Sequence, residues 1–306
     1  MIVHVVSISG GKDSTATGEI ALERHGPDAV RLVAADTGNE AENWSEYLDY
    51  LRKRWNHPID VVRADFTIDL ERKRKFILEK WPEHGVALEV CQRAAELMKP
   101  TGNPFLDLCL WKGRFPSRKA QFCTQELKRY PLDEYVTRII TEEGHQIESW
   151  QGVRRDESLT RAHLKERELS PEGWWVNRPI VAWTSNQVIG FLVGRKIDPN
   201  PLYFEGFARV GCAPCINSSK TDLNLWHRRH PEMIDKIAEW ERLVGLASKL
   251  GVSSFIPAVD GARGERQGKN IRAIVEWSKT SRGGRQLDMY RSGPINQCSS
   301  VYGLCE

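Results

Sequence analysis

The stretch "SISGGKDSTATGEIALERHG" (Ser7–Gly26) decides how the chain begins to fold. It follows "MIVHVV", which is apolar and β-branched apart from His4 and reads as a buried strand. Thr15 to Arg24 hold no proline and a single glycine, so a helix follows. Strand, glycine turn and helix together aim backbone N–H groups at an anion. Gly10 and Gly11 fall where the backbone must approach a ligand closely or adopt positive φ. The spacing excludes G-x-x-x-x-G-K-[ST] and G-x-G-x-x-G. A plain turn would satisfy the glycines alone. Lys12 and the hydroxyls of Ser9 and Ser14 point instead to a phosphate site.

Working outward, "AVRLVAAD" (Ala29–Asp36) reads as a second strand, ending in "DTGNE" before the helical "AENWSEYLDYLRKRW". "PIDVVRAD" (Pro58–Asp65) reads as a third. Alternating strands and helices predict an α/β fold, a parallel sheet flanked by helices with right-handed crossovers. Asp36, Thr37 and Gly38 then sit at a strand's carboxyl end, where open α/β sheets bind ligands. Residues 70–120 read as helical and then irregular. "HQIESWQGVRRDES" (His145–Ser158) reads as a strand delivering Gly152, Arg154 and Arg155, two arginines suited either to phosphate or to surface ion pairs. "RPIVAWTSNQVIGFLVGRKI" predicts a strand, then a helix capped at Thr184 or Ser185. A long polar helix is expected around Asp222–Leu250. The organisation reads as a nucleotide-binding α/β domain over 1–205 and a cysteine-containing, mainly helical region over 206–306.

The 306 residues carry 44 Lys plus Arg against 41 acidic residues, a formal charge of +3. That balance does not announce a nucleic-acid binder, and "RKRKF" at Arg72 and "WHRRH" at Trp226 read as solvated helix faces. No secretory signal or apolar span of about 18 residues is visible, which predicts a cytoplasmic protein with no membrane partner. Seven cysteines, an odd number, argue against a full disulfide framework and for metal binding or reactivity. Cys212 and Cys215 form a C-x-x-C, Cys123 lies upstream, and Cys298 and Cys305 close the chain. Cys123, Cys212, Cys215 and one terminal cysteine could make a four-thiolate site for iron–sulfur or zinc. Cys91 and Cys109 read as buried core thiols. Trp44, Trp55, Trp183 and Trp240 read as packing residues, and His227 and His230 as an exposed helix start.

Together these pieces resemble a known family. "SGGKDS" is similar to the PP-loop of ATP pyrophosphatases, which cleave ATP between its α- and β-phosphates. "DTGNE", "FPSRKAQFCTQELKRYPL", "QGVRRDES" and "RPIVAWT…NPLYFEGFARVGCAPC" resemble the phosphoadenosine phosphosulfate (PAPS) reductase branch of that adenine nucleotide alpha-hydrolase-like superfamily. The resemblance implies that Ser7, Ser9, Gly10, Gly11, Lys12, Asp13 and Ser14 hold phosphates, with Lys12 and Asp13 catalytic. It places Asp36, Thr37 and Gly38 near adenosine, and Gly152, Arg154 and Arg155 near phosphate or sulfate. It implies ATP with Mg²⁺, and a [4Fe–4S] cluster on Cys123, Cys212, Cys215 and Cys298 or Cys305, with zinc as the alternative metal. The chain has Cys123-Thr124 where adenylylsulfate reductases carry a cysteine pair, and "YGLCE" where true reductases end near E-C-G-L-H. The intact loop favours ATP over a sulfonucleotide.

These expectations favour an ATP pyrophosphatase that adenylylates an acceptor for sulfur transfer, resembling the ATP pyrophosphatases of DNA phosphorothioation systems. A nucleic-acid acceptor and a sulfur donor such as a cysteine desulfurase are the implied partners. Sulfur would be carried on Cys298 or Cys305, or on the cluster. The alternatives are a PAPS or adenylylsulfate reductase, with Cys305 as nucleophile, and a metal-stapled nucleotide sensor without turnover. Oligomeric state is not legible from the sequence.

Overall fold

A computed structural model describes residues 1–256 and 270–280. The chain runs β1 (Ile2–Ser7), α1 (Lys12–His25), β2 (Val30–Asp36), α2 (Trp44–Trp55) and β3 (Ile59–Arg63). A helical excursion follows, with α3 (Thr67–Glu83), α4 (Leu88–Leu97), α5 (Pro104–Lys112) and the short α6 (Phe122–Thr124). A π-helical turn (Gln125–Arg129) leads into α7 (Tyr130–Thr141). The sheet resumes with β4 (Gln146–Trp150), β5 (Arg167–Leu169) and β6 (Trp175–Asn177). Helices α8 (Ser185–Gly194), α9 (Lys220–Arg229), α10 (Pro231–Leu246) and α11 (Ile271–Ser278) complete the described residues.

The strand order is β3-β2-β1-β4-β6-β5, parallel except for β5. The chain first builds outward from β1 through β2 to β3, then crosses back to place β4 on the other side of β1. The switch point therefore lies between the carboxyl ends of β1 and β4, where the crevice of such a sheet takes ligands. β1 is buried along its length except Ile2, as expected of a central strand covered on both faces.

Val6, Ile8, Leu32 and Trp150 pack against α1, α2 and α8 on one face. Val3, Val5 and Val33 pack against Leu132, Tyr135, Val136 and Ile139 of α7 on the other. A further core joins α3–α5 to α9–α11, with the Phe105 and Trp240 rings stacked at 5.4 Å and Phe255 beside Phe115 at 5.4 Å. Cys91 and Cys109 are buried in it, as expected.

Two local readings change. Arg178–Trp183 is a pair of turns rather than a strand, with Val181 N–H donating to Arg178 O and Trp183 N–H to Ile180 O. Pro179 removes a ladder donor there. Their place in the sheet is taken by the short β5–β6 pair. The single helix expected over Asp222–Leu250 is two, broken at His230 (φ −136°, ψ 64°) because Pro231 disfavours a helical residue before it. The cap at Thr184 forms with Gln187 as reciprocal partner.

Candidate functional site

The loop between β1 and α1 is built from its own hydroxyls. Ser14 Oγ donates to Gly11 O (3.0 Å) and accepts from Ser9 N–H (3.1 Å), with Ser9 Oγ 3.0 Å away. Gly11 N–H donates to Ser9 Oγ at 3.3 Å, and Trp44 Nε1–H clamps Ser9 O at 3.0 Å. Gly10 has φ +86°, which a side chain would resist, and an added Cβ would press on Trp44 at 3.2 Å. The Ser7 hydroxyl is buried, with no hydrogen-bond partner among the described residues. Lys12 opens α1 with only 7% of its side chain exposed, its Nζ 3.5 Å from Asp13 Oδ2. The helix thus presents its positive end and one ammonium to the crevice.

The loop after β4 meets this turn directly. A Cβ on Gly152 would lie 2.7 Å from Asp13 C and O and from Ser14 N, so only glycine allows the approach. Arg154 Nε donates to Asp13 Oδ1 at 2.7 Å, and its Nη1 to Asp156. Asp13 is wholly buried. Burial pushes its carboxyl above the usual range, against the pull of Lys12 and Arg154. Arg155 is exposed, its Nε donating to Leu164 O at 2.9 Å.

The end of β2 carries Asp36, whose Oδ1 accepts from Gly38 N–H at 2.9 Å. Gly38 has φ +77° and leaves no room for a Cβ against Asn103 Oδ1 at 2.7 Å. Thr37 donates from both N–H and hydroxyl to Glu40. The next residues are strapped to the C-x-x-C: Ala213 N–H donates to Asn39 O (2.7 Å), Asn39 Nδ2 to Pro214 O (3.0 Å), and Glu40 bridges Cys212.

Cys212 and Cys215 shift each other: the neighbouring thiol holds Cys215 below the usual thiol range and, with burial, raises Cys212. Asn217 N–H also donates to Cys215 Sγ at 3.4 Å. Cys123 senses the charge of Cys212, and burial pushes its thiol up to about 11. Burial works against the Lys128 ammonium, yet Cys212, Glu40, Cys123 and Cys215 together raise its pKa. Three thiols and one cation thus sense one another's charge beside the carboxyl end of β2. Among the described residues, however, the three sulfurs are not gathered within 4.8 Å of one another. Thiolate is the donor type that zinc and iron–sulfur clusters take. Cys298 and Cys305 lie outside the described residues.

At the far end of α1, His4, His25 and Glu148 bring three ligand atoms within 4.8 Å of one another. Trp150 Nε1–H reaches His4 Nδ1 (3.1 Å) and Glu148 Oε2 (3.2 Å), and Arg167 Nε donates to Glu148 Oε1 (2.9 Å). The carboxylate is already satisfied by protein donors. His25 is exposed and stacks on the His4 ring at 3.6 Å, so we read the group as a hydrogen-bonded His4–Glu148 pair with a stacked second imidazole.

Sequence reasoning named no role for four residues at this crevice: Glu40, Lys128, Asn200 and Tyr203. Asn200 is fully buried, with Nδ2 3.4 Å from Gly10 O, and the Tyr203 hydroxyl accepts from Lys12 N–H at 3.0 Å. The available signal was the "NPLY" run itself, whose Asn before Pro marks a capped turn.

The phosphoadenosine phosphosulfate reductase domain family matches residues 3–218. The chain belongs to that family. This PAPS reductase-family chain is 44% identical, over 99% of its length and 97% of the relative's, to an uncharacterized 37.8 kDa protein of Escherichia phage 186. It is 38% identical to the phosphoadenosine 5'-phosphosulfate reductase of Gloeobacter violaceus, over 51% of this chain and 66% of that one. It is 35% identical to the adenosine 5'-phosphosulfate reductase of Allochromatium vinosum, over 22% of this chain and 27% of that one. Among solved structures, a Candida auris PAPS reductase in a phosphate complex aligns with a TM-score of 0.42 and 14% identity, covering 68% of this chain and 80% of that one. Among the described residues no helix is long and apolar enough to cross a membrane.

Proposed function

We propose that this PAPS reductase-family chain is an ATP pyrophosphatase that adenylylates an acceptor for sulfur transfer. One observation carries the reading: the complete Ser9–Ser14 loop, with Lys12 buried at the start of α1, opens at the sheet's switch point. Backbone N–H groups, the Lys12 ammonium and Mg²⁺ would hold the β- and γ-phosphates, while the Asp36–Gly38 turn lies against the adenosine. An acceptor oxygen attacks the α-phosphorus, the bond to the bridging β-oxygen breaks, and pyrophosphate leaves. Fixed positive charge at the leaving group is the protein's main contribution to such a transfer. The outer sulfur of a persulfide on Cys298 or Cys305, charged by a donor such as a cysteine desulfurase, would then displace AMP from the acceptor, here read as a nucleic acid. An external thiol reductant would cleave the remaining S–S bond, leaving the sulfur on the acceptor and returning the cysteine thiol. Asp13 holds Arg154 and Lys12 in place, so Arg154 would frame the phosphate loop, whereas Arg155 is exposed and bonded to Leu164 O.

Cys123, Cys212 and Cys215, with a terminal cysteine, would hold a [4Fe–4S] cluster, or zinc in its place. An iron–sulfur cluster would supply electron and sulfide handling. The Lys128 ammonium would offset the thiolates' charge, and the Asn217 N–H would steady Cys215.

The similarity to proteins named as PAPS and adenosine phosphosulfate reductases favours a second reading, reduction of a sulfonucleotide with release of sulfite. Anaerobically purified protein titrated with ATP and with PAPS, scored for pyrophosphate, AMP and sulfite, separates the two. Pyrophosphate and AMP from ATP in the presence of acceptor are expected. Sulfite from PAPS with no product from ATP would replace the first reading with the second.

A further inference from the structure

We propose that Tyr203 is a positioning residue of the phosphate site, whose hydroxyl stands in for a phosphate oxygen at the start of α1 while its ring steadies the Lys12 ammonium. The inference rests on the reading of the Ser9–Ser14 loop as a phosphate cradle. Lys12 N–H donates to the Tyr203 hydroxyl at 3.0 Å. That is an ordinary N–H···O separation and the one a phosphate oxygen would adopt on the same donor. One N–H serves one acceptor well, so hydroxyl and phosphate oxygen compete for it.

The ring acts in the opposite sense. Lys12 Nζ lies 5.1 Å from the Tyr203 ring centroid, within cation–π reach. Asp13 Oδ2 lies 3.5 Å from the same ammonium, so ring and carboxylate together hold it at the mouth of the loop. One side chain therefore carries a group that helps a phosphate ligand and a group that opposes it.

The backbone under Tyr203 is anchored to the loop. Asn200 Nδ2 contacts Gly10 O at 3.4 Å, and its Oδ1 accepts from Leu202 N–H (3.1 Å) and Asn43 Nδ2 (3.4 Å). It caps the Pro201–Tyr203 turn on one side and touches the glycine turn on the other. Leu202 is buried, while Tyr203 is half-buried. What yields to an incoming phosphate is thus the tyrosine side chain, by a swing about χ1 that carries the hydroxyl oxygen away from Lys12 N–H, and not the turn that carries it. The ligand class is an anion with several phosphate oxygens, a diphosphate group above all. Such a group gains enough loop donors to displace the hydroxyl.

The test measures binding of inorganic pyrophosphate to the full chain by calorimetry, for the parent, Tyr203→Phe and Tyr203→Leu, with thermal melts as the folding check. Removing only the hydroxyl removes a competing hydrogen bond, so Tyr203→Phe is expected to bind about five-fold tighter. Removing the ring as well should leave Tyr203→Leu about three-fold weaker than Tyr203→Phe. A gain on losing the hydroxyl that is largely reversed when the ring goes too is not what a merely structural side chain produces. If the parent binds pyrophosphate and Tyr203→Phe binds it equally or more weakly, the proposal falls and the phosphate cradle stands. If no variant binds pyrophosphate, the cradle reading falls and takes this inference with it.

Discussion

Asp13 Oδ1 and Arg154 Nε meet at 2.7 Å and join the first turn of α1 to the loop after β4, across 141 residues of sequence. Asp13 is wholly buried and Arg154 nearly so. Removing one partner of a buried pair leaves the other's charge without compensation, the costly half of such an interaction. Asp13→Ala is therefore expected to destabilise the chain by about 3 kcal/mol, read from urea unfolding. Asp156 still pairs with Arg154 and keeps the loss from being larger. A loss under about 1 kcal/mol would mean that the pair is solvated in solution.

Gly152→Ala tests the close approach of the two loops. Its Cβ would sit 2.7 Å from backbone atoms of Asp13 and Ser14, which no side-chain rotation relieves. We expect about 1–3 kcal/mol of destabilisation from overpacking. Because the strain falls on the phosphate loop, pyrophosphate affinity should drop at least about ten-fold. Gly190→Ala, in α8 with open space around the added Cβ, is the control and should leave affinity unchanged.

The two halves of the crevice should fail separately. Lys12→Ala is expected to reduce pyrophosphate release from ATP by about 100-fold or more while leaving the metal content of the purified protein intact. Cys215→Ala should do the reverse, losing metal while retaining pyrophosphate binding. Elemental analysis beside calorimetry reads both. Joint loss of metal and pyrophosphate binding in either variant would show the two sites to be one folding unit.

Glu241 gives the stability a pH dependence. It is buried, accepts from Phe255 N–H (2.8 Å) and Ile271 N–H (2.7 Å), and burial lifts its carboxyl to about 7 against those two bonds. An acid whose pKa is higher in the folded chain holds its proton longer there than in the unfolded chain. Stability from this group is therefore full below its ordinary value of 4.5 and falls as pH rises towards 7. Over that window the loss is about 3 kcal/mol, at roughly 1.4 kcal/mol per pH unit. Urea midpoints at pH 5 and pH 8 measure it. Glu241→Gln should flatten the slope, and an unchanged slope would assign it to other groups.

Local pattern carried most of the fold. β1, the glycine loop and α1 are contiguous in sequence, so their periodicity and turn chemistry were readable directly, as were β2, β3 and β4. What failed was also local: "RPIVAW" is apolar enough for a strand, but Pro179 and the turn bonds around it decide otherwise. Strands of three residues such as β5 and β6 offer too few alternations to be seen. In the site, the residue types were legible and the partnerships were not. Arg154 offered a phosphate ligand to the eye, and only the fold brings Asp13 to it. Tyr203 lies in the "NPLY" run, yet nothing in one dimension aims it at Lys12 from 191 residues away.

The strap joining Asn39 and Glu40 to Cys212–Pro214 has a consequence for the order in which the molecule matures. Cys123 arrives on the excursion between β3 and β4, whereas Cys212 and Cys215 leave synthesis some ninety residues later and dock on a turn made long before. Neither partner can assemble the thiol set on a nascent chain that is still missing the other. If the thiols bind metal as proposed, its possession would certify a finished polypeptide, and the metal-loaded fraction of a preparation would double as a census of correctly folded molecules.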